Sequence, residues 1–159
     1  MNGNREGEMI PLTILQKGDK APEFELRTQT GEKINSKDIE GKILLAFHPL
    51  AFTAVCGDQM RDLERNYERL KEKGITPFGV SVDAHPSKGV WAKALDISDL
   101  TLLSDFNPKG ELAKACGVYV EEAGISGRAV LIFEDGEVKW SKQYPDEQLP
   151  DIEEIIEHC

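Results

Sequence analysis

Apolar positions recur along this chain with two periods, and the places where one period gives way to the other mark its elements. Ile43-Leu44-Leu45-Ala46-Phe47 is a continuous apolar run of strand length, and Pro49, which has no backbone N–H to give to a sheet, stops it. Beyond it Cys56, Met60, Leu63, Tyr67 and Leu70 fall at alternating steps of four and three, while Arg61, Glu64, Arg65, Glu68 and Arg69 take the other faces. That stripe predicts an amphipathic helix with Cys56 in its first turn and its end near Lys73-Gly74. Thr76 to Val82 reads as the next strand, so the helix is a crossover between two parallel strands.

The remaining pattern continues the alternation. Pro86 to Leu95 reads as a helix with Val90, Trp91, Ala94 and Leu95 as its apolar side. Thr101-Leu102-Leu103 is a short strand, and Pro108 to Cys116 is a helix with Pro108 in its first turn and Gly117 at its end. Ala129 to Phe133 is an apolar strand, Asp135-Gly136 a two-residue turn, and Val138-Lys139-Trp140 the returning strand. Leu149, Ile152, Ile155 and Ile156 predict a terminal amphipathic helix. At the other end, Phe24 to Arg27 and Lys33-Ile34 form a hairpin across Thr28-Gln29-Thr30-Gly31, and Ser36 to Gly41 forms a short helical turn with Ser36 as its cap. Residues 1 to 10 read as a poorly ordered lead. Strands alternating with helices, then a hairpin and a helix, predict an α/β fold with a mixed central sheet, and no repeat or linker divides residues 1–159 into more than one domain.

Charge narrows the partners. The formal net charge is -10, from 29 acidic and 19 basic side chains, and no Lys/Arg cluster stands out, which argues against nucleic acid or an anionic membrane surface. No stretch has the apolar length to span a bilayer and the first residues lack the hydrophobic region of a secretory signal, so a cytoplasmic protein is expected. Cys56, Cys116 and Cys159 are odd in number and widely spaced, which fits neither a disulfide scaffold nor a zinc site. Reactive thiol chemistry is the better account of them.

Cys56 is placed for it. The first-turn N–H groups of a helix have no partner inside the helix and carry the positive end of the macrodipole, which favours a thiolate over a thiol. Thr53 can set a hydroxyl beside the sulfur, and Pro49 can cover one side of it with an apolar ring. Taken singly, Cys56 is as well read as a small core hydrophobe, Thr53 as a helix cap and Pro49 as a strand breaker.

The order Pro-x-x-x-Thr-x-x-Cys, here Pro49, Thr53 and Cys56, resembles the active-site motif of the peroxiredoxins, the alkyl hydroperoxide reductase and thiol-specific antioxidant superfamily. The resemblance continues through Leu102 to Glu111 and Gly127 to Phe133, covering nearly all of the chain from about Lys17; His48 departs from it, standing where many relatives carry an aromatic residue. It implies a thioredoxin-like fold with an N-terminal β-hairpin. It also implies a thiol peroxidase without metal, haem or flavin, acting on hydrogen peroxide and organic hydroperoxides through a Cys56 thiolate that becomes a sulfenic acid. The resemblance assigns the donors that orient the peroxide to Thr53, to backbone N–H groups next to Cys56, and to a distant arginine that Arg128 matches. Without it, Arg128 would be an ordinary arginine at a strand edge.

Recycling of the sulfenic acid is left open by the residues. Position 61 is Arg61, so no local partner cysteine follows Cys56 on its helix; Cys116 reads as a packed core thiol, and Cys159 as an exposed, mobile terminal thiol able to reach a sulfenate. An external thiol, of thioredoxin, glutaredoxin or small-molecule type, is the first choice, and self-association as a homodimer or larger homo-oligomer is implied by the resemblance. His48 reads as lining or interface, and Asp83 and His85 have no assigned role. A redox-regulated chaperone or peroxide sensor would use the same Cys56, whereas a thiol-disulfide oxidoreductase would want a C-x-x-C pair, and Gly57-Asp58-Gln59 follow instead.

Overall fold

A computed structural model describes residues 13–159, so the expected lead at residues 1 to 10 lies outside them. The strands are β1 (Glu25–Thr28), β2 (Lys33–Asn35), β3 (Lys42–Phe47), β4 (Ile75–Ser81), β5 (Thr101–Ser104), β6 (Tyr119–Val120), β7 (Ile125–Ser126), β8 (Arg128–Glu134) and β9 (Glu137–Tyr144). The helices are α1 (Ala54–Arg65), α2 (Tyr67–Glu72), α3 (His85–Ala94), α4 (Glu111–Cys116) and α5 (Ile152–Glu157). Seven strands form one sheet in the order β2-β1-β5-β4-β3-β8-β9. β3, β4 and β5 run parallel, and β1 and β8 join them antiparallel on either side, so the sheet is mixed as the pattern predicts.

Because side chains alternate across a strand, each strand feeds two cores. Ile43, Leu45 and Phe47 face one core with Phe78, Val80, Leu131 and Cys116. Leu44 and Ala46 face the other with Cys56, Met60, Leu63, Leu70, Trp91, Leu102 and Ile155. α1 lies close on this second face because Gly79 has no side chain: a Cβ there would run into Met60 Sδ and come within 2.9 Å of Leu102 Cδ2. Met60 is one turn beyond Cys56, so the same close approach holds the start of α1 against the end of β3.

Several expectations are revised. The long helix breaks at Asn66 (φ -105°, ψ 14°), whose side-chain amide donates to the Asp62 carbonyl, so α2 is a separate turn-and-a-half and Tyr67 is only half-buried. The Ser36 turn is a single 3₁₀ turn capped by Asn35, which accepts from the Lys37 N–H; the Ser36 hydroxyl accepts from the Phe24 N–H instead. α4 starts at Glu111, three residues later than Pro108 suggested. The short β6–β7 pair was not anticipated. Asp135 and Gly136 both have positive φ (53° and 79°), the geometry a two-residue hairpin turn requires.

The largest revision concerns α3. Its buried residues are Lys88, Trp91 and Ala92, while Val90 is 62% exposed. The helix is rotated from the expected face because polar groups at the strand ends, described next, give Lys88 an interior partner that no apolar tally along the chain would register.

Candidate active site

β3 ends where His48 donates its N–H to the Val80 carbonyl (2.9 Å), and Pro49 can make no further ladder bond. The chain then turns sharply through Phe52, whose φ of +65° is a strained conformation for an aromatic residue, costing about 1–2 kcal/mol. Two contacts hold the turn: Ala51 N–H donates to Asp83 Oδ2 (2.8 Å) and the Thr53 hydroxyl to the Leu50 carbonyl (2.8 Å). Thr53 is the residue before α1, but its side chain caps none of the helix N–H groups, so it is not the ordinary helix cap it could be taken for singly. The first helical bond runs from Gly57 N–H to the Thr53 carbonyl (2.9 Å). Cys56 is therefore third in the helix, its N–H and those of Ala54 and Val55 belonging to the unpaired first turn. Its side chain is fully buried, with Pro49 half-buried beside the turn.

Arg128 arrives by topology. β8 is antiparallel to β3, with Ala129 opposite Phe47, so the start of β8 meets the end of β3. Alternation then decides the face: Ala129 and Leu131 point to one core, Val130 and Ile132 to the other, and Arg128 takes the side of α1. Its Nη2 lies 3.4 Å from Cys56 Sγ across 72 residues of sequence. Nη1 donates to Gln59 Oε1 (2.6 Å), and Nε and Nη2 donate to the Asp146 carbonyl (3.0 and 2.8 Å). None of these partners is a carboxylate, although Arg128 is only 2% exposed. A buried guanidinium needs an anion, and the atom in reach that can become one is the Cys56 sulfur.

A second buried cation lies on the same side of the sheet. Lys88 is fully buried, and its Nζ donates to Ser81 Oγ (2.7 Å) and meets His48 Nε2 (3.3 Å). Ser81 Oγ in turn donates to Asp83 Oδ2 (2.6 Å). His48 is itself fully buried, its ring tilted against Trp91 at 5.2 Å between centroids. Lys88 and Gln59 were missed in the sequence. Gln59 follows Cys56 by three on the stripe that carries Met60, and Lys88 precedes Trp91 and Ala92 by three and four, a spacing that would have shown both had polar residues been allowed inward. Among the described residues, no group of three or more His, Cys, Asp and Glu side chains is arranged to hold a metal ion.

Residues 17–141 match the model of the AhpC/TSA family. The chain belongs to the AhpC/TSA family of peroxiredoxins. This peroxiredoxin is 32% identical over 123 residues to alkyl hydroperoxide reductase E of Mycobacterium tuberculosis, covering 76% of this chain and 80% of that protein. It is likewise 32% identical over 136 residues to peroxiredoxin Bcp of Escherichia coli, covering 80% and 85%. Among solved structures it resembles Enterococcus faecalis AhpC with a TM-score of 0.83 at 25% identity, over 91% of this chain and 90% of that one. The fold of Mycobacterium tuberculosis peroxidoxin BcpB is also similar, with a TM-score of 0.79 at 22% identity over 91% and 96%. The fold is thus thioredoxin-like, and the peroxiredoxin is an enzyme, a thiol-dependent peroxidase.

The other two thiols of this peroxiredoxin are placed apart from Cys56. Cys116 belongs to the core on the opposite face of the sheet, where burial pushes its thiol far up. Cys159 is not the exposed, mobile thiol expected: it is half-buried against the α1-side core, its S–H donates to the Ile155 carbonyl (3.3 Å), and burial pushes it up despite Lys42, Lys73 and Lys139 nearby. Of these, Lys42 opens β3, whereas Cys56 lies past its end, so roughly 16 Å of strand separates the two thiols. A disulfide needs Cα atoms within about 7 Å. After one equivalent of peroxide, mass spectrometry of the monomer is expected to show no bond from Cys56 to Cys159 or Cys116; finding either would mean that α5 or the sheet opens during turnover.

Proposed function

We propose that this peroxiredoxin reduces hydrogen peroxide and small organic hydroperoxides at Cys56 and is returned to the thiol by an external thiol reductant. The reading rests on one observation, the Arg128 guanidinium 3.4 Å from a sulfur in the first turn of a helix, with no carboxylate among the described residues to neutralise it. The thiolate attacks one peroxide oxygen; the S–O bond forms as the O–O bond breaks, and the other oxygen leaves as water or an alcohol. Charge moves from sulfur to the departing oxygen, so fixed donors beside both atoms lower the barrier. Arg128 and the free N–H groups of the first turn supply them, Pro49 shields the thiolate, and Thr53 sets the turn from which α1 begins. The complete cover over Cys56 favours small substrates, and the name alkyl hydroperoxide reductase borne by a relative favours organic hydroperoxides among them.

Consumption of peroxide driven by dithiothreitol, together with trapping of the sulfenic acid on Cys56 by dimedone, tests this. Failure of both would sink it. With Cys116 and Cys159 remote, the recycling thiol comes from outside the chain, of thioredoxin, glutaredoxin or small-molecule type. Free thiols are in keeping with a cytoplasmic setting, and the single seven-stranded sheet that carries both cores is in keeping with a single domain. Leu50, Phe52 and Val90 expose apolar surface near Cys56, and we place self-association there. Light scattering is expected to give a mass of at least two chains, falling to one when Phe52 is changed to Asp.

A further inference from the structure

The peroxidase reaction as described has no use for Lys88, yet burying an ammonium in a core is costly and small changes in helix rotation would have put it in water. The charges that face it are few. Asp83 is reached through Ser81 Oγ; Asp105 lies beyond, with both oxygens accepting from the Leu112 and Ala113 N–H groups; Cys56 is the third. On its own helix, His85 turns away to lie against Gly31. The direct partners of Nζ are neutral: the Ser81 hydroxyl and the His48 ring, whose other neighbouring charge is Arg128.

The His48 contact has a direction. When Lys88 is charged it donates to His48 Nε2, which leaves the imidazole hydrogen on Nδ1. Among the described residues Nδ1 is fully buried and makes no hydrogen bond, the nearby Ala46 carbonyl included. The ring is thus set to receive a proton on one nitrogen and release one from the other, one residue before Pro49 at the edge of the Cys56 turn.

We propose that Lys88 is a positioning residue that stores the proton given up by the Cys56 thiol and returns it through His48 to the oxygen that leaves the peroxide. This rests on the peroxidase reading above. The balance closes without solvent. First, Cys56–SH and Lys88–NH₂ become Cys56–S⁻ and Lys88–NH₃⁺. Then Cys56–S⁻, ROOH and Lys88–NH₃⁺ become Cys56–SOH, ROH and Lys88–NH₂: sulfur gives two electrons, the O–O bond takes them, and the leaving alkoxide takes the stored proton. Loss of the thiolate removes one of the three negative charges that keep Lys88 protonated, so the proton is released when it is needed.

The titration behaviour agrees with the geometry. Burial brings the Lys88 ammonium down to about 7 against the pull of Asp83, Cys56 and Asp105, so modest changes in neighbouring charge switch it near neutrality. Burial, with Lys88 and Arg128, holds the His48 imidazole well below its usual value despite the Ala46 carbonyl, which keeps the ring neutral and able to pass a proton.

The test compares the wild-type chain with Lys88→Met and His48→Phe. Alkylation of Cys56 by iodoacetamide across pH needs no peroxide: Lys88→Met is expected to move its midpoint up by about one pH unit, roughly tenfold slower at neutral pH. His48→Phe is expected to keep the alkylation midpoint and yet slow oxidation by peroxide. A pH-indicator dye in weak buffer should show the wild type taking up almost no proton per sulfur oxidised, and Lys88→Met taking up close to one above its own alkylation midpoint. Removing a buried charge is expected to leave the melting temperature unchanged or raise it, whereas a purely structural lysine would lower it. Alkylation profiles that coincide for Lys88→Met and wild type overturn the proposal, as does a wild type that draws a full proton from solvent, which needs no variant to fold. A shifted alkylation profile in a chain that consumes no peroxide would instead remove the peroxidase reading and leave the Lys88–Cys56 coupling standing.

Discussion

Cys56→Ser is expected to abolish peroxide consumption, lowering the rate by roughly 10³ or more, as removal of a covalent nucleophile does elsewhere. The physical reason is twofold. A hydroxyl at this position stays protonated where a thiol ionises, and oxygen does not share the low cost with which sulfur attacks a peroxide bond. The variant should also be less stable than its near-identical shape suggests, because it leaves Arg128, 2% exposed and without a carboxylate partner among the described residues, beside a neutral group. An uncompensated buried group costs about 1–3 kcal/mol, or about 2–4 °C of melting temperature per kcal/mol for a domain of this size. Cys56→Asp separates the two effects: it restores an anion to Arg128, so it should recover stability while staying inactive. Stopped-flow oxidation and thermal melts of the pair decide this. Appreciable turnover in either variant would place the chemistry at another residue.

Arg128→Met comes next in size. One well-placed donor to developing negative charge is worth about 10²–10³ in rate, and the function proposed above makes Arg128, 3.4 Å from Cys56 Sγ, both that donor and the counter-charge of the thiolate. The two roles are separated by pH. If only the thiolate were at stake, raising the pH would restore the variant to the wild-type rate. Because the guanidinium also stabilises the transition state, a deficit of about tenfold or more is expected to persist at high pH, where both proteins are thiolate. Stability should fall by about 1–3 kcal/mol, since Gln59 Oε1 and the Asp146 carbonyl lose their donor while a buried charge is removed at the same time. Gln59 is the more telling partner: its Nε2 already lacks an acceptor among the described residues, so after the substitution the amide loses its other hydrogen bond too. Full activity of Arg128→Met at every pH would disconnect it from catalysis.

Much of the architecture was readable in one dimension. The run Ile43 to Phe47, the stripe of Cys56, Met60 and Leu63, and the Asp135-Gly136 turn each follow from contacts between residues close in sequence, so period and turn chemistry suffice to find them. The order Pro49, Thr53, Cys56 is equally local, and its resemblance to a known motif brought Arg128 into view from far along the chain. The weak points were the residues whose environment is assembled from several elements. The apolar tally along α3 set Val90 inward and Lys88 outward, and both are reversed. The tail at Cys159 read as free because nothing in its neighbours shows that α5 packs back on the sheet.

By itself, then, the sequence determined where most strands and helices lie and that a cysteine opens α1, because those properties are set by spacing along the backbone, and its motif pointed to the family. Only the tertiary structure decided that the ends of β3, β4 and β8 converge, that alternation turns His48, Ser81 and Arg128 toward α1, and that Lys88 is drawn in to meet them. Whether a charged side chain is buried depends on the partners that distant strands bring to it, and that information exists only once the sheet has formed.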